Sequence, residues 1–172
     1  MLKVTLPALA VGLISAVAAA QQPPRPDPGL AVYKKANCVG CHKWHGGGGG
    51  GYGGDALSLR HTQLTREQII ETVNCGRPGT GMPFHLRGAY DATKCYDSLR
   101  AEMGAQMPPE GTAFLRQSEV EAVATYVAES LKGKGEPTLA DCTAFFGDTS
   151  RACDLYRKET RDGTPAPQQT TH

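Results

Sequence analysis

The chain has 172 residues and a formal net charge of +1, which predicts one domain with length to spare for a tail. An N-terminal segment with Lys3 and no acid accounts for that charge, so the remainder is near neutral and a nucleic-acid binder built on a basic patch is excluded. With 21 Gly, 12 Pro and 6% aromatic residues, a chain of this size builds only a thin core from its own side chains.

Residues 1–20 have the pattern of an export signal. Lys3 precedes a mostly apolar run, and Ala18-Ala19-Ala20 provides a small-x-small cleavage site after Ala20. The run is short for a membrane span and contains Pro7 and Ser15, so no stable anchor is expected after cleavage. Export implies an oxidising compartment, where disulfides persist. Residues 21–26 are polar and Pro-rich and predict a flexible lead-in.

Asp27-Pro28 predicts an N-cap with proline at the first helical position, opening a helix to about Asn37. Gly29 and Tyr33 are one turn apart and share a face of it. Directly after comes Cys38-Val39-Gly40-Cys41-His42. C-x-x-C-H is the attachment pattern for a c-type haem: two thiols add to the two porphyrin vinyl groups, and the histidine that follows ligates the iron. Taken alone, the string also fits a redox dithiol or half of a zinc site. A large apolar cofactor would supply the contact that a thin core lacks.

Lys43-Trp44-His45 leads into six glycines, then Tyr52, Gly53 and Gly54. Such a run predicts a loop. Its backbone could lie against a flat cofactor with Trp44 or Tyr52 at the ring edge, or it is a plain surface loop. His45 is expected to face solvent, with iron ligation or a proton-linked role as the alternative. Leu57 and Leu59 alternate with polar residues and should point together toward the pocket. Thr65 then caps a helix, with Gln68 completing a capping box and Leu64 and Ile69 forming a hydrophobic staple. Ile69, Ile70 and Val73 form its buried stripe, and Gly76 stops it.

Two Met-Pro pairs follow. Met82 lies in Gly79-Thr80-Gly81-Met82-Pro83, and Met107 in Met107-Pro108-Pro109. A thioether suits a low-spin haem iron. Residues 84–117 otherwise read as irregular. A last strong helix is expected from Ser118, with a Ser118–Glu121 capping box and Val120, Val123, Ala124, Val127 and Leu131 on one face. An extension over 136–158 predicts one or two short helices, and residues 159–172 a disordered tail.

Of six cysteines, Cys38 and Cys41 go to the haem and four remain. Three connectivities are possible. The local one pairs Cys75 with Cys95 and Cys142 with Cys153, with free or metal-binding Cys75 and Cys95 as the alternative.

From about residue 28 to 132 the chain resembles the class I c-type cytochromes, monohaem periplasmic electron carriers. The pieces stand in family order: Gly29 and Tyr33, C-V-G-C-H, a glycine loop, the helix from Thr65, the Met82 loop and a last helix with Tyr126. The resemblance implies an all-α fold of about three to five helices around one covalently bound haem c, over residues 27–135 with an insertion at about 84–117. It implies a close crossing of the first and last helices, with Gly29 and Tyr33 against Val123 to Val127. His42 would be the proximal ligand, and Met82 the distal one, with Met107 as the alternative. Many members hold the histidine's second nitrogen with a proline carbonyl from the stretch after the motif. Here no proline lies between His42 and Arg77, so another carbonyl must serve, the glycine loop being the candidate.

The function expected is single-electron transfer in the periplasm, with no catalytic residues. A periplasmic dehydrogenase and a terminal oxidase or another redox protein would be transient partners. A tightly bound haem subunit of a dehydrogenase complex, or a haem protein with an open site and His45, His61 or His85 as distal groups, are the alternatives.

Overall fold

A computed structural model describes residues 26–50, 56–91 and 95–163. The expectations for the export signal (1–20), most of the lead-in, Tyr52 and the last residues of the tail lie outside the described residues. The fold is all-α. Among the described residues, seven α-helical segments run in the order α1 (Pro28–Lys35), α2 (Val39–His42), α3 (Arg66–Cys75), α4 (Arg100–Met103), α5 (Gln117–Tyr126), α6 (Leu139–Phe146) and α7 (Asp154–Asp162). Five of these, α1 to α5, lie within the expected domain of three to five helices, and α6 and α7 form the extension. No strand occurs among the described residues; the β pairing present there is two isolated bridges.

Local hydrogen bonds set the helix starts. Asp27 Oδ1 accepts from the Gly29 and Leu30 amides at the head of α1. Thr65 and Gln68 form the reciprocal capping box of α3. At α5 the start differs from the expected Ser118–Glu121 box. Glu119 reaches back to the Arg116 amide at 2.9 Å and also pairs with Lys35 on α1 at 2.6 Å. That carboxylate, held from both sides, begins the helix at Gln117. The apolar face of α5 continues into a π-helical turn, Val127–Leu131, which brings Leu131 over Gly46.

α1 and α5 cross at Gly29. A Cβ there would sit 2.5 Å from Tyr126 Cβ and against the Ala122 carbonyl, so only glycine permits this approach. The rings of Tyr33 and Tyr126 meet at 5.5 Å in the same crossing. Around it, Val32, Tyr33, Ile69, Val73, Val120, Val123, Ala124, Val127 and Leu131 form the main core.

Residues 84–117 are more ordered than expected. They contain α4 and a 3-10 turn, Gly104–Gln106. Phe84, Ala89, Tyr90, Cys95 and Met103 build a second apolar cluster with Cys75. The Cys75–Cys95 disulfide ties this cluster to the end of α3, and the Tyr90 hydroxyl donates to the Cys75 carbonyl at 2.7 Å. The second disulfide joins Cys142 on α6 to Cys153. Both bonds follow the local pairing. α7 continues to Asp162, so Glu159 to Asp162 are helical rather than tail.

Candidate haem site

α1 delivers the C-x-x-C-H motif. The chain leaves the helix through Asn37, whose φ of 58° falls in the left-handed region that asparagine tolerates. Cys38 then donates its amide to the Tyr33 carbonyl, and the motif coils into the single turn α2, with the His42 amide on the Cys38 carbonyl at 2.8 Å. Cys38, Cys41 and His42 line one wall of a cavity of about 830 Å³. Tyr33, Leu59, Leu64, Ile69, Val73, Val123 and Val127 provide its apolar lining, and Thr80, Gly81 and Met82 line it as well.

Each member of the motif has a distinct environment. Burial pushes the Cys38 thiol up to about 12; Cys38 and Cys41 are both free thiols. Burial also holds His42 below the ordinary histidine value, opposed by its hydrogen bond to Leu57. In that bond His42 Nδ1 lies 3.0 Å from the Leu57 carbonyl. A carbonyl only accepts, so Nδ1 carries the proton and Nε2 keeps its lone pair for a metal. Tyr33 donates its hydroxyl to the Lys43 carbonyl at 2.8 Å, and burial raises its pKa far above the usual phenol range.

The carbonyl on His42 therefore comes from the segment after the glycine run. The run supports it from beneath. The Gly49 amide donates to the Ala56 carbonyl at 2.8 Å, and the Leu59 amide to the Gly46 carbonyl at 2.7 Å. A Cβ on Gly48, where φ is +69°, would meet the Leu57 carbonyl carbon at 2.7 Å and the Ser58 nitrogen at 2.8 Å.

The two candidate methionines separate. Met82 lines the cavity, in a loop closed by the Arg77 amide on the Met82 carbonyl and the Thr80 amide on the Arg77 carbonyl. Met107 packs on the second apolar cluster and is not among the cavity's lining residues. Of the histidines, His61 reaches the cavity lining with His42. His85 is buried, with Nδ1 on the Ala113 carbonyl at 2.7 Å. His45, expected to face solvent, is 4% exposed. Trp44 packs edge-on against it, and Trp44 in turn meets Phe145, Phe146 and Tyr156 of the extension rather than the cavity. Leu59 lines the pocket as expected, and so does Leu57, although Leu57 is 67% exposed.

Two thiols, one imidazole with a fixed tautomer and one thioether around an apolar cavity fit a covalently attached haem by donor chemistry. The volume is in the range of pockets that enclose a cofactor. The family model for cytochrome c oxidase, cbb3-type, subunit III matches residues 24–127, more than half of the chain. The chain belongs to this family. No curated protein and no solved structure matches it. The match makes this a c-type cytochrome domain, which binds covalently attached haem c and serves haem-based electron transfer. It begins just before α1 and ends at Val127, so α6 and α7 lie beyond the matched part of the cytochrome.

Sequence reasoning missed two contributors. The Leu57 carbonyl is a backbone group with no signature of its own. Arg60 stands alone in a loop sequence, yet it is 4% exposed and donates to the His45 carbonyl behind the motif.

Proposed function

We propose that this cytochrome is a periplasmic single-electron carrier in which Cys38 and Cys41 hold the haem and His42 and Met82 are its axial ligands. The observation that carries this reading is that these four side chains line the same cavity. Bound haem supplies reversible one-electron iron chemistry. The chain's own residues do the rest. His42 is oriented by Leu57, apolar side chains line much of the cavity, and the Met82 loop lies within the segment closed by the Cys75–Cys95 disulfide. Ligation by the soft Met82 thioether would favour the reduced state. A periplasmic dehydrogenase and an oxidase or another cytochrome would dock in turn through small, short-lived contacts. The pattern of residues 1–20 supports the periplasmic location, and no helix among the described residues is long and apolar enough to cross a membrane.

A second reading is a standing haem subunit of a larger complex. The family description, which names an oxidase subunit, favours it, as does an extension beyond the matched region.

Spectra of the purified protein test the ligation. A sharp reduced alpha band and a weak far-red band in the oxidised form are expected, with the far-red band lost in Met82→Ala and kept in Met107→Ala. The reverse outcome overturns the Met82 assignment. A high-spin spectrum that shifts with carbon monoxide overturns the closed carrier.

A further inference from the structure

Arg60 carries a guanidinium whose side chain is 3% exposed. A buried charge is costly unless its donors are paired, and here they are. Nη1 donates to the His45 carbonyl at 3.1 Å. Nη2 donates to the carbonyls of Lys134 and Glu136 and to Asp141 Oδ2, each at 3.3 Å. Nε donates to the Gly135 carbonyl. The partners come from two places: the loop directly after the C-x-x-C-H motif, and the chain beyond the matched family region. Backbone bonds complete the clasp. The Arg60 amide donates to the Gly46 carbonyl at 3.4 Å, and its carbonyl accepts from the Gly133 amide at 2.8 Å.

Three residues upstream, the Leu57 carbonyl holds His42 Nδ1. The exposed Leu57 side chain does little to fix that carbonyl, so its aim depends on how residues 56–60 are held. The glycine loop holds them through the Gly49–Ala56 and Leu59–Gly46 bonds, and Arg60 ties their far end to both that loop and the extension.

We infer that Arg60 is a positioning residue for His42. It locks residues 56–60 between the post-motif loop and the C-terminal extension, so that the Leu57 carbonyl stays on Nδ1 and the extension tunes the iron. The inference rests on the reading of His42 as an axial ligand. A bond at Nδ1 raises the basicity of the ligating imidazole, which favours ferric iron; loosening it moves the reduction potential upward.

The test is the midpoint potential of the haem-loaded protein, measured by spectroelectrochemistry in Arg60→Met and Arg60→Lys. Arg60→Met should shift the one-electron equilibrium toward the ferrous form by about tenfold, or about 59 mV. Arg60→Lys should shift it less in the same direction, since an ammonium keeps the charge and loses the planar fork. It carries the measurement if Arg60→Met does not accumulate. Val120→Ala, a truncation in the main core away from this segment, should lower stability and leave the potential in place. Unchanged potentials in both Arg60 variants, or an equal shift in Val120→Ala, overturn the positioning role. His42→Ala tests the underlying reading separately. A low-spin spectrum that persists without His42 overturns both. Its loss, with wild-type potentials in the Arg60 variants, overturns the positioning role alone.

Discussion

Replacing Gly29 with alanine tests the helix crossing that carries the motif. The new Cβ would stand 2.5 Å from Tyr126 Cβ, where ordinary contact begins at 3.4 Å. The helices must therefore part by about 0.9 Å at that point. The other obstacle is the Ala122 carbonyl, a backbone group inside α5 that cannot rotate away. Overpacking of this kind costs about 1–3 kcal/mol. Loosening the Tyr33–Tyr126 ring contact adds up to about 1 kcal/mol. Against this, alanine is a better helix former by up to about 1 kcal/mol in a helix interior, and Gly29 lies in the first turn of α1, where that gain is smaller. The clash wins, with a net loss of about 2 kcal/mol and a fall in Tm of roughly 4–8 °C for a chain of this length. Thermal unfolding of the haem-loaded protein, followed by far-UV circular dichroism, measures it. Ala122→Gly should not rescue the variant, because the carbonyl stays. An unchanged or raised Tm in Gly29→Ala, or rescue by Ala122→Gly, refutes the backbone argument.

Glu119 gives a pH dependence. Its bond to Lys35, and then those to the Arg116 amide and guanidinium, hold its carboxyl down to about 2, against an ordinary 4.5. A lowered folded-state pKa contributes stability that is present above the unfolded value and lost as pH falls toward the folded one. The contribution should therefore fade between about 4.5 and about 2, and Glu119→Gln should flatten that part of the stability–pH curve. A variant with the same acid slope as the parent would contradict this. Replacing Cys75 and Cys95 together with serine opens a 20-residue closure worth about 3 kcal/mol in the chain-entropy model. Tm should fall, and the far-red methionine band should weaken before global unfolding on heating. A band that persists until the global transition would detach the disulfide from the Met82 loop.

What could be read from the sequence was local. The Asp27 cap, the Thr65–Gln68 box and the C-x-x-C-H turn each depend on residues within four positions of one another, so spacing alone exposes them. Gly29 against α5 was visible through the family resemblance rather than through periodicity. The start of α5 moved because Glu119 is held by Lys35 on another helix, a tertiary contact that outweighed the Ser118 pattern. Residues 84–117 read as irregular because their core gathers Phe84, Tyr90 and Met103 from turns without a repeating period. His45 lies against Trp44, and Trp44 packs on Phe145 and Phe146 of an extension about one hundred residues downstream, which no local pattern reveals. The partner of His42 Nδ1 is a main-chain carbonyl, and every residue has one.

Six cysteines also pose a sorting problem during maturation: in the proposed assignment two must stay reduced until the porphyrin arrives, while four must pair. Thiol–disulfide exchange needs a thiolate. Burial raises the Cys38 thiol to about 12, so in the folded chain it holds its proton at neutral pH. The other four close loops of 20 and 11 residues, which are short and meet readily. The burial that shapes the haem cavity thus also shields its attachment thiol from crosslinking to the wrong partner.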